Sequence, residues 1–286
     1  LSSLEIDLTI CTIPDQARDN IVDKILDVTS SAILVETPVT DQILINMSLN
    51  NQNRIGVIEQ WPHLPLEQFK RQLYINKVVS PPYWVYNDGR TYDYHGIAQL
   101  RAYIGYQAPS IIKGAVMNVE QPGHIDNTGK MNATTDFWTH GHVHMENGAL
   151  LSHSFCYNCK VSDLKPIQMI KAYSADGSIV TGRINELNND YELAEVRYIN
   201  ENKEAVVEKI EVSKIDDVTS EIKAAGTVWV NKYLDLGFND QQTAIAEVIE
   251  MGLSGGVYPV QESFIDNVIV SAMKQSGVSH QVLKTS

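Results

Sequence analysis

Two different periodicities divide the chain near residue 60. Before that point short apolar runs at 8–11, 32–35 and 55–59 alternate with amphipathic stretches over 16–28 and from about Asp41. Such spacing predicts strand, helix, strand units. A crossover of this length is right-handed and joins parallel strands. The carboxyl ends of the strands then lie along one edge, where open α/β sheets hold ligands. Beyond Trp61-Pro62-His63-Leu64-Pro65 the pattern changes. Helical spacing covers 66–75 and 94–104, with a strand at 83–87 between them. Strand-like runs follow at 111–119, 137–145, 149–157, 168–174, 192–198 and 206–214. Runs of this kind predict a large, mainly antiparallel sheet. Two helices, 240–251 and 260–275, close the chain, the first with Asn239-Asp240 as its cap. The fold class is therefore α/β plus α+β. A partial parallel sheet spans 1–62, and a helix-covered sheet domain spans 63–286. The C-terminal helices are expected to reach back to the first domain.

Composition narrows the function classes. The 286 residues are 43% hydrophobic and 20% charged, ordinary for a globular protein. A formal net charge of −13 argues against a nucleic-acid partner, because phosphate binding needs a basic surface. No apolar run has the length of a membrane span, and the start lacks the pattern of a secretory signal. The cysteines Cys11, Cys156 and Cys159 do not make a disulfide framework, so a reducing, cytoplasmic location is expected. On a strand the sulfurs of Cys156 and Cys159 point to opposite faces. Buried structural thiols are therefore expected rather than a metal pair.

The turns Thr12-Ile13-Pro14 and Glu36-Thr37-Pro38 end the first two apolar runs. With the EQWPHLP stretch, the helix HGIAQLRAYIG, the hairpin MENGA and the final YPVQESFIDNVIVSAMKQSG, they resemble the Gfo/Idh/MocA oxidoreductases in order and spacing. The resemblance runs over nearly the whole chain and implies a Rossmann-like first domain followed by a domain for substrate and oligomer contacts. It implies NAD or NADP as cofactor, hydride transfer to or from a sugar-like or cyclic polyol, and a homodimer or homotetramer. Thr12, Ile13, Pro14, Glu36, Thr37, Pro38 and Gln60 match the cofactor edge. His95 matches the histidine that works on the substrate hydroxyl, and Trp61, Arg90, Tyr92 and Tyr94 fall around the same pocket. Two departures stand out. The glycine-rich crossover that precedes this unit in the family is absent before Leu4, and Thr37 stands where the family has a lysine. Thr91 likewise occupies an aspartate position, with Asp93 two residues before His95 as the candidate partner. A non-catalytic relative that keeps the fold for binding or assembly is the alternative reading.

Trp138 to His144 alternates so that His140, His142 and His144 project from one face. A two-residue turn at Asn147-Gly148 would set Glu146 opposite Ala149 and His142 opposite His153, gathering four histidines there. His140 and His144 would lie about 13 Å apart, too far to share one ion. A subunit interface, rather than a metal, is the expectation for this face, together with Trp138, Leu151, Phe155 and Tyr157.

Overall fold

The computed structural model describes residues 5–39, 41, 43–44, 54–77, 79–87, 93–120, 128–130, 135–156, 170–175, 179–180, 191–199, 205–214, 228–256, 258–279 and 283–284. Strands β1 (Leu8–Cys11), β2 (Ala32–Val35) and β3 (Ile55–Val57) are parallel neighbours, with helix α1 (Asp15–Val28) crossing between the first two. Ile33, Leu34 and Val35 have no accessible surface, as a central parallel strand covered on both faces requires. Most of the helix expected from Asp41 lies outside the described residues. Strand β13 (Tyr258–Pro259) returns from the far end of the sequence and pairs antiparallel with β3. The C-terminal segment therefore completes the first sheet, in the order β1-β2-β3-β13.

A seven-stranded sheet forms the second layer, in the order β14-β5-β6-β7-β4-β8-β9. Its long members are β5 (Pro109–Glu120), β6 (Thr135–Met145) and β7 (Leu150–Cys156). Strand β4 (Pro82–Asn87) lies parallel to β7 and antiparallel to β8 (Ile170–Ser174), and β9 (Ile179–Val180) and β14 (Leu283–Lys284) are the edges. The single large sheet expected over 111–235 is in fact two. Strand β4 occupies one flank of β8 and β9 the other. Among the described residues the later strands β10 (Tyr191–Ile199), β11 (Ala205–Lys214) and β12 (Val228–Val230) pair with one another in a separate three-stranded sheet. Helices α3 (Asp93–Tyr103) and α5 (Val260–Ser279) cover one face of the seven-stranded sheet, and α2 (Pro65–Ile75) packs on α3. Helix α4 (Asp240–Leu253) packs on β2, its start fixed by a reciprocal cap in which Asn239 and Gln242 each accept the other's backbone N–H. Among the described residues no helix is long and apolar enough to cross a membrane.

The hairpin between β6 and β7 differs from the sequence expectation by one residue. Met145 N–H donates to Ala149 O and Gly148 N–H to Met145 O, each at 2.9 Å, making a three-residue loop, 146–148. Gly148 sits at φ 85°, the left-handed position such loops need. A one-residue shift turns a strand over. His142 thus faces Ser152, while His153 pairs with Gly141 and points into the helix-covered layer. Leu151 and Phe155 turn inward with it and are buried, so they do not share the histidine face; Tyr157 lies outside the described residues. The open face instead carries Trp138, His140, His142 and His144, flanked by Lys113 and Met117 of β5.

Two buried polar clusters hold the layers together. Arg101 has no accessible side-chain surface. Its guanidinium donates to Asp266 Oδ1 at 2.8 Å, to the backbone oxygens of Glu262 and Tyr106 at 3.0 and 3.1 Å, and to the Glu262 carboxylate. Tyr258 donates to the other Asp266 oxygen at 2.5 Å, which ties α3 and α5 to β13. In the second cluster Lys70 reaches Glu67 at 2.8 Å and Ile170 O at 3.1 Å, while Tyr103 donates to Glu67 at 2.5 Å. Burial pulls the Lys70 ammonium below its ordinary range, with Glu67 opposing, and pushes the Tyr103 hydroxyl well above its own. Removing one member of such a cluster strands the other charge. Lys70→Ala is expected to cost about 3–5 kcal/mol in urea unfolding, and the paired change Lys70→Met with Glu67→Gln far less. A loss under about 1 kcal/mol for Lys70→Ala would contradict this.

Candidate active site

The site forms where the carboxyl ends of β2 and β3 meet the first turn of α3. Glu36 follows β2, its N–H donating to Cys11 O at 3.1 Å, and Ile58 N–H donates to Val35 O at 2.8 Å. These bonds align the chain segments leaving the three strands. Arg18 of α1 crosses beneath the Glu36-Thr37-Pro38 turn and donates to the backbone oxygens of Glu36 and Pro38 at 2.5 and 2.7 Å. The Thr37–Pro38 peptide is cis. Glu59 stands two residues beyond β3 and is almost fully buried. The turn after it is a 3-10 helix, Trp61–His63, whose Trp61 O accepts from Gln99 of α3 at 3.1 Å. That bond joins the strand end to the helix.

His95 lies in the first turn of α3, with its side chain 14% exposed. Its Nδ1 is 2.8 and 3.1 Å from the two oxygens of Glu59. A carboxylate only accepts, so Nδ1 carries the proton, and in the neutral ring Nε2 is then the basic nitrogen. The rings of Trp61 and Tyr94 flank the imidazole, at centroid distances of 5.7 and 4.4 Å. Burial pushes the Glu36 carboxyl above its ordinary value; neighbouring His95 opposes this and Glu59 adds to it. Glu36, Glu59 and His95 therefore share one electrostatic environment.

Of the residues singled out from sequence, Glu36, Gln60, Trp61, Tyr94 and His95 come together at this edge, with Thr12, Ile13, Pro14, Thr37 and Pro38 on the neighbouring strand ends. Arg90 and Tyr92 lie outside the described residues. Asp93 is not the partner of His95, because positions two apart on a helix face different ways. Its carboxylate is taken by Lys274 and His153, and Glu59 takes the place proposed for it. Sequence reasoning overlooked both Glu59 and Arg18. A carboxylate just past a parallel strand, inside the EQWPHLP stretch, was the available signal for Glu59. Arg18 left none, since its backbone partners lie 18 and 20 positions away.

Gln60 is 8% exposed, and among the described residues its buried Oε1 has no hydrogen-bond partner, which leaves an acceptor that an amide N–H of a bound group could satisfy. Among the described residues no group of three or more histidine, cysteine, aspartate or glutamate side chains is arranged to hold a metal ion.

No protein-family model matches the chain, and a sequence search of the curated proteins returns no match. Solved structures do match in fold. One is a myo-inositol dehydrogenase from Corynebacterium glutamicum, at 11% identity and TM-score 0.64, covering 100% of this chain and 82% of that one. Another is an NAD-binding oxidoreductase from Klebsiella pneumoniae, at 11% identity and TM-score 0.62, covering 100% and 81%. A third is the myo-inositol dehydrogenase of Lactobacillus casei, solved with NAD(H) and myo-inositol, at 13% identity and TM-score 0.58, covering 98% and 78%. The chain shares their two-part fold, a Rossmann-like α/β sheet joined to an α+β sheet layer.

His63 beside the site yields a prediction on stability. Burial, helped by nearby Arg71, pulls this imidazole down to about 4. The folded chain keeps it neutral, whereas the unfolded chain protonates it below about pH 6.5. The unfolded state then binds more protons, so stability falls as pH drops from about 6.5 towards 4, by about 3 kcal/mol. Urea unfolding of the native chain and of His63→Gln, followed across that range, checks this. The variant is expected to lose less with acid; equal slopes would contradict it.

Proposed function

We propose that this chain is an NAD(P)-dependent oxidoreductase acting on a sugar-like or cyclic polyol substrate. The carrying observation is the Glu59–His95 pair, placed on the carboxyl edge of a parallel sheet beside Gln60, Trp61 and Tyr94. The dehydrogenases of matching fold, one of them solved with NAD(H) and myo-inositol, support the same reading. Thr12, Ile13, Pro14, Glu36, Thr37, Pro38 and Gln60 would line the nicotinamide and its ribose. When bound there, the dinucleotide supplies the hydride acceptor or donor. The chain handles the proton. Glu59 holds Nδ1–H of His95, which makes Nε2 the atom that takes the hydroxyl proton in oxidation and returns it in reduction. The rings of Trp61 and Tyr94 lie against the imidazole, and the low exposure of the Glu59–His95 contact strengthens the Nδ1–carboxylate pairing. Thr37 cannot replace a lysine in this work, because its hydroxyl does not ionise in the useful range. Proton handling therefore rests on His95.

Thr37 is also the observation that favours a second reading, a chain that binds without turning over. Coupled assays at 340 nm with NAD or NADP and a panel of cyclic polyols, myo-inositol included, separate the two. Under the oxidoreductase reading His95→Ala lowers kcat/KM by at least about 10²-fold, the usual contribution of a general acid–base group. A change within about twofold would remove His95 from the mechanism. Absence of turnover with the whole panel, alongside measurable binding, would favour the second reading.

The open face of the seven-stranded sheet is proposed as the contact between copies, in a homodimer or homotetramer. Burial, and the neighbouring His153 and His142, pull His140 below its ordinary value, so the face favours a neutral imidazole. Covering it with another copy strengthens that preference. Association is expected to weaken as pH falls below about 6.5. Sedimentation velocity at neutral pH and at about pH 5.5 checks this; a monomer at neutral pH would contradict it.

A further inference from the structure

The helix that carries His95 is held from its other side by a cluster with no role in the chemistry above. Asp93 and His153 are almost wholly buried, 3% and 2% exposed, whereas the Lys274 side chain is 42% exposed. Asn87 fixes the histidine. Its Oδ1 accepts from Ser154 N–H at 2.9 Å, which turns Nδ2 towards His153 Nδ1, also at 2.9 Å. His153 Nδ1 therefore accepts, and Nε2 carries the proton, 3.5 Å from Asp93 Oδ1. That distance is longer than a good hydrogen bond, so the neutral imidazole lies against the carboxylate as a polar contact. The second Asp93 oxygen is gripped by Lys274 of α5. Burial works against the Asp93 charge, but His153 and Lys274 hold it below the ordinary carboxylate range. Gly96 completes the fit: a Cβ there would lie 2.5 Å from His153 Cε1 and 2.7 Å from Asn87 Nδ2. The first turn of α3 thus rests directly on β4 and β7.

We infer that Lys274, Asp93 and His153 are positioning residues for His95, locking the first turn of α3 so that its imidazole meets Glu59. Asp93 and His95 leave the helix on different sides, so the turn is gripped by Lys274 and His153 on one side and by Glu59 on the other. Among the described residues, the Asp93 carboxylate meets Lys274 of α5 and His153 of β7. The catalytic meaning of this clamp rests on the function proposed above, but its geometric content does not.

The experiment therefore reads His95 itself. Ring 15N shifts of histidine-labelled intact chain, with the His95 signal assigned by its loss in His95→Gln, report which nitrogen holds the proton. The native chain and Lys274→Arg are expected to show a single Nδ1–H tautomer, whereas Lys274→Met and Asp93→Asn show a mixed population. Thermal midpoints and circular dichroism of the variants identify any that fail to fold. Lys274 is half exposed, so Lys274→Met keeps the test available if Asp93→Asn does not fold. Where turnover is measurable, kcat should fall on the order of tenfold in Lys274→Met, with KM changed less than about threefold, and recover in Lys274→Arg. Unchanged His95 signals in folded Lys274→Met would overturn the inference. Loss of the single tautomer without any turnover in the native chain would support the clamp and count against the dehydrogenase reading.

Discussion

Arg101 is the constraint on which the geometry of the site depends. Its buried guanidinium gathers Asp266, Glu262 and the Tyr106 carbonyl around the end of α3. Tyr258, joined to the same Asp266, belongs to the strand that pairs with β3. One charge-assisted knot therefore fixes α3, α5 and the first sheet in relation to one another. Glu59 leaves the end of β3 and His95 leaves the start of α3, so their 2.8 Å contact depends on that fixed relation. A buried guanidinium is costly unless every donor finds a partner. Sequence-distant segments must all be in place before Arg101 is satisfied.

The carboxylate that pairs with His95 is not the one nearest to it in sequence. The sequence offers Asp93 as the neighbour of His95, and the structure gives that carboxylate to Lys274 and His153. Glu59 pairs with His95 from the end of β3, and the rings of Trp61 and Tyr94 lie against the imidazole. Buried pairing of this kind selects the tautomer and orients the ring, the two things a proton-transferring histidine needs.

Much of the architecture was legible in local patterns. The alternation up to residue 60 located β1, β2 and β3, and Asn239 proved to be the cap of α4. Where local patterns stopped, so did the reading. The β6–β7 loop holds three residues rather than two, a difference decided by a left-handed glycine and two backbone bonds. That one-residue change moved His153 from an expected surface cluster into the clamp behind His95. Pairing of β4 with β7, and of β13 with β3, joins segments more than sixty and two hundred residues apart, which no periodicity records. Glu59 was hidden for the same reason, since its partner lies 36 positions away.

A double-mutant cycle on kcat/KM with Glu59→Gln, His95→Asn and the pair tests the central claim most directly. If the two side chains act as one proton-handling unit, the pair should be scarcely worse than His95→Asn alone, because Glu59 works only through the imidazole. Losses that simply multiply would show that Glu59 and His95 act independently and would contradict the account.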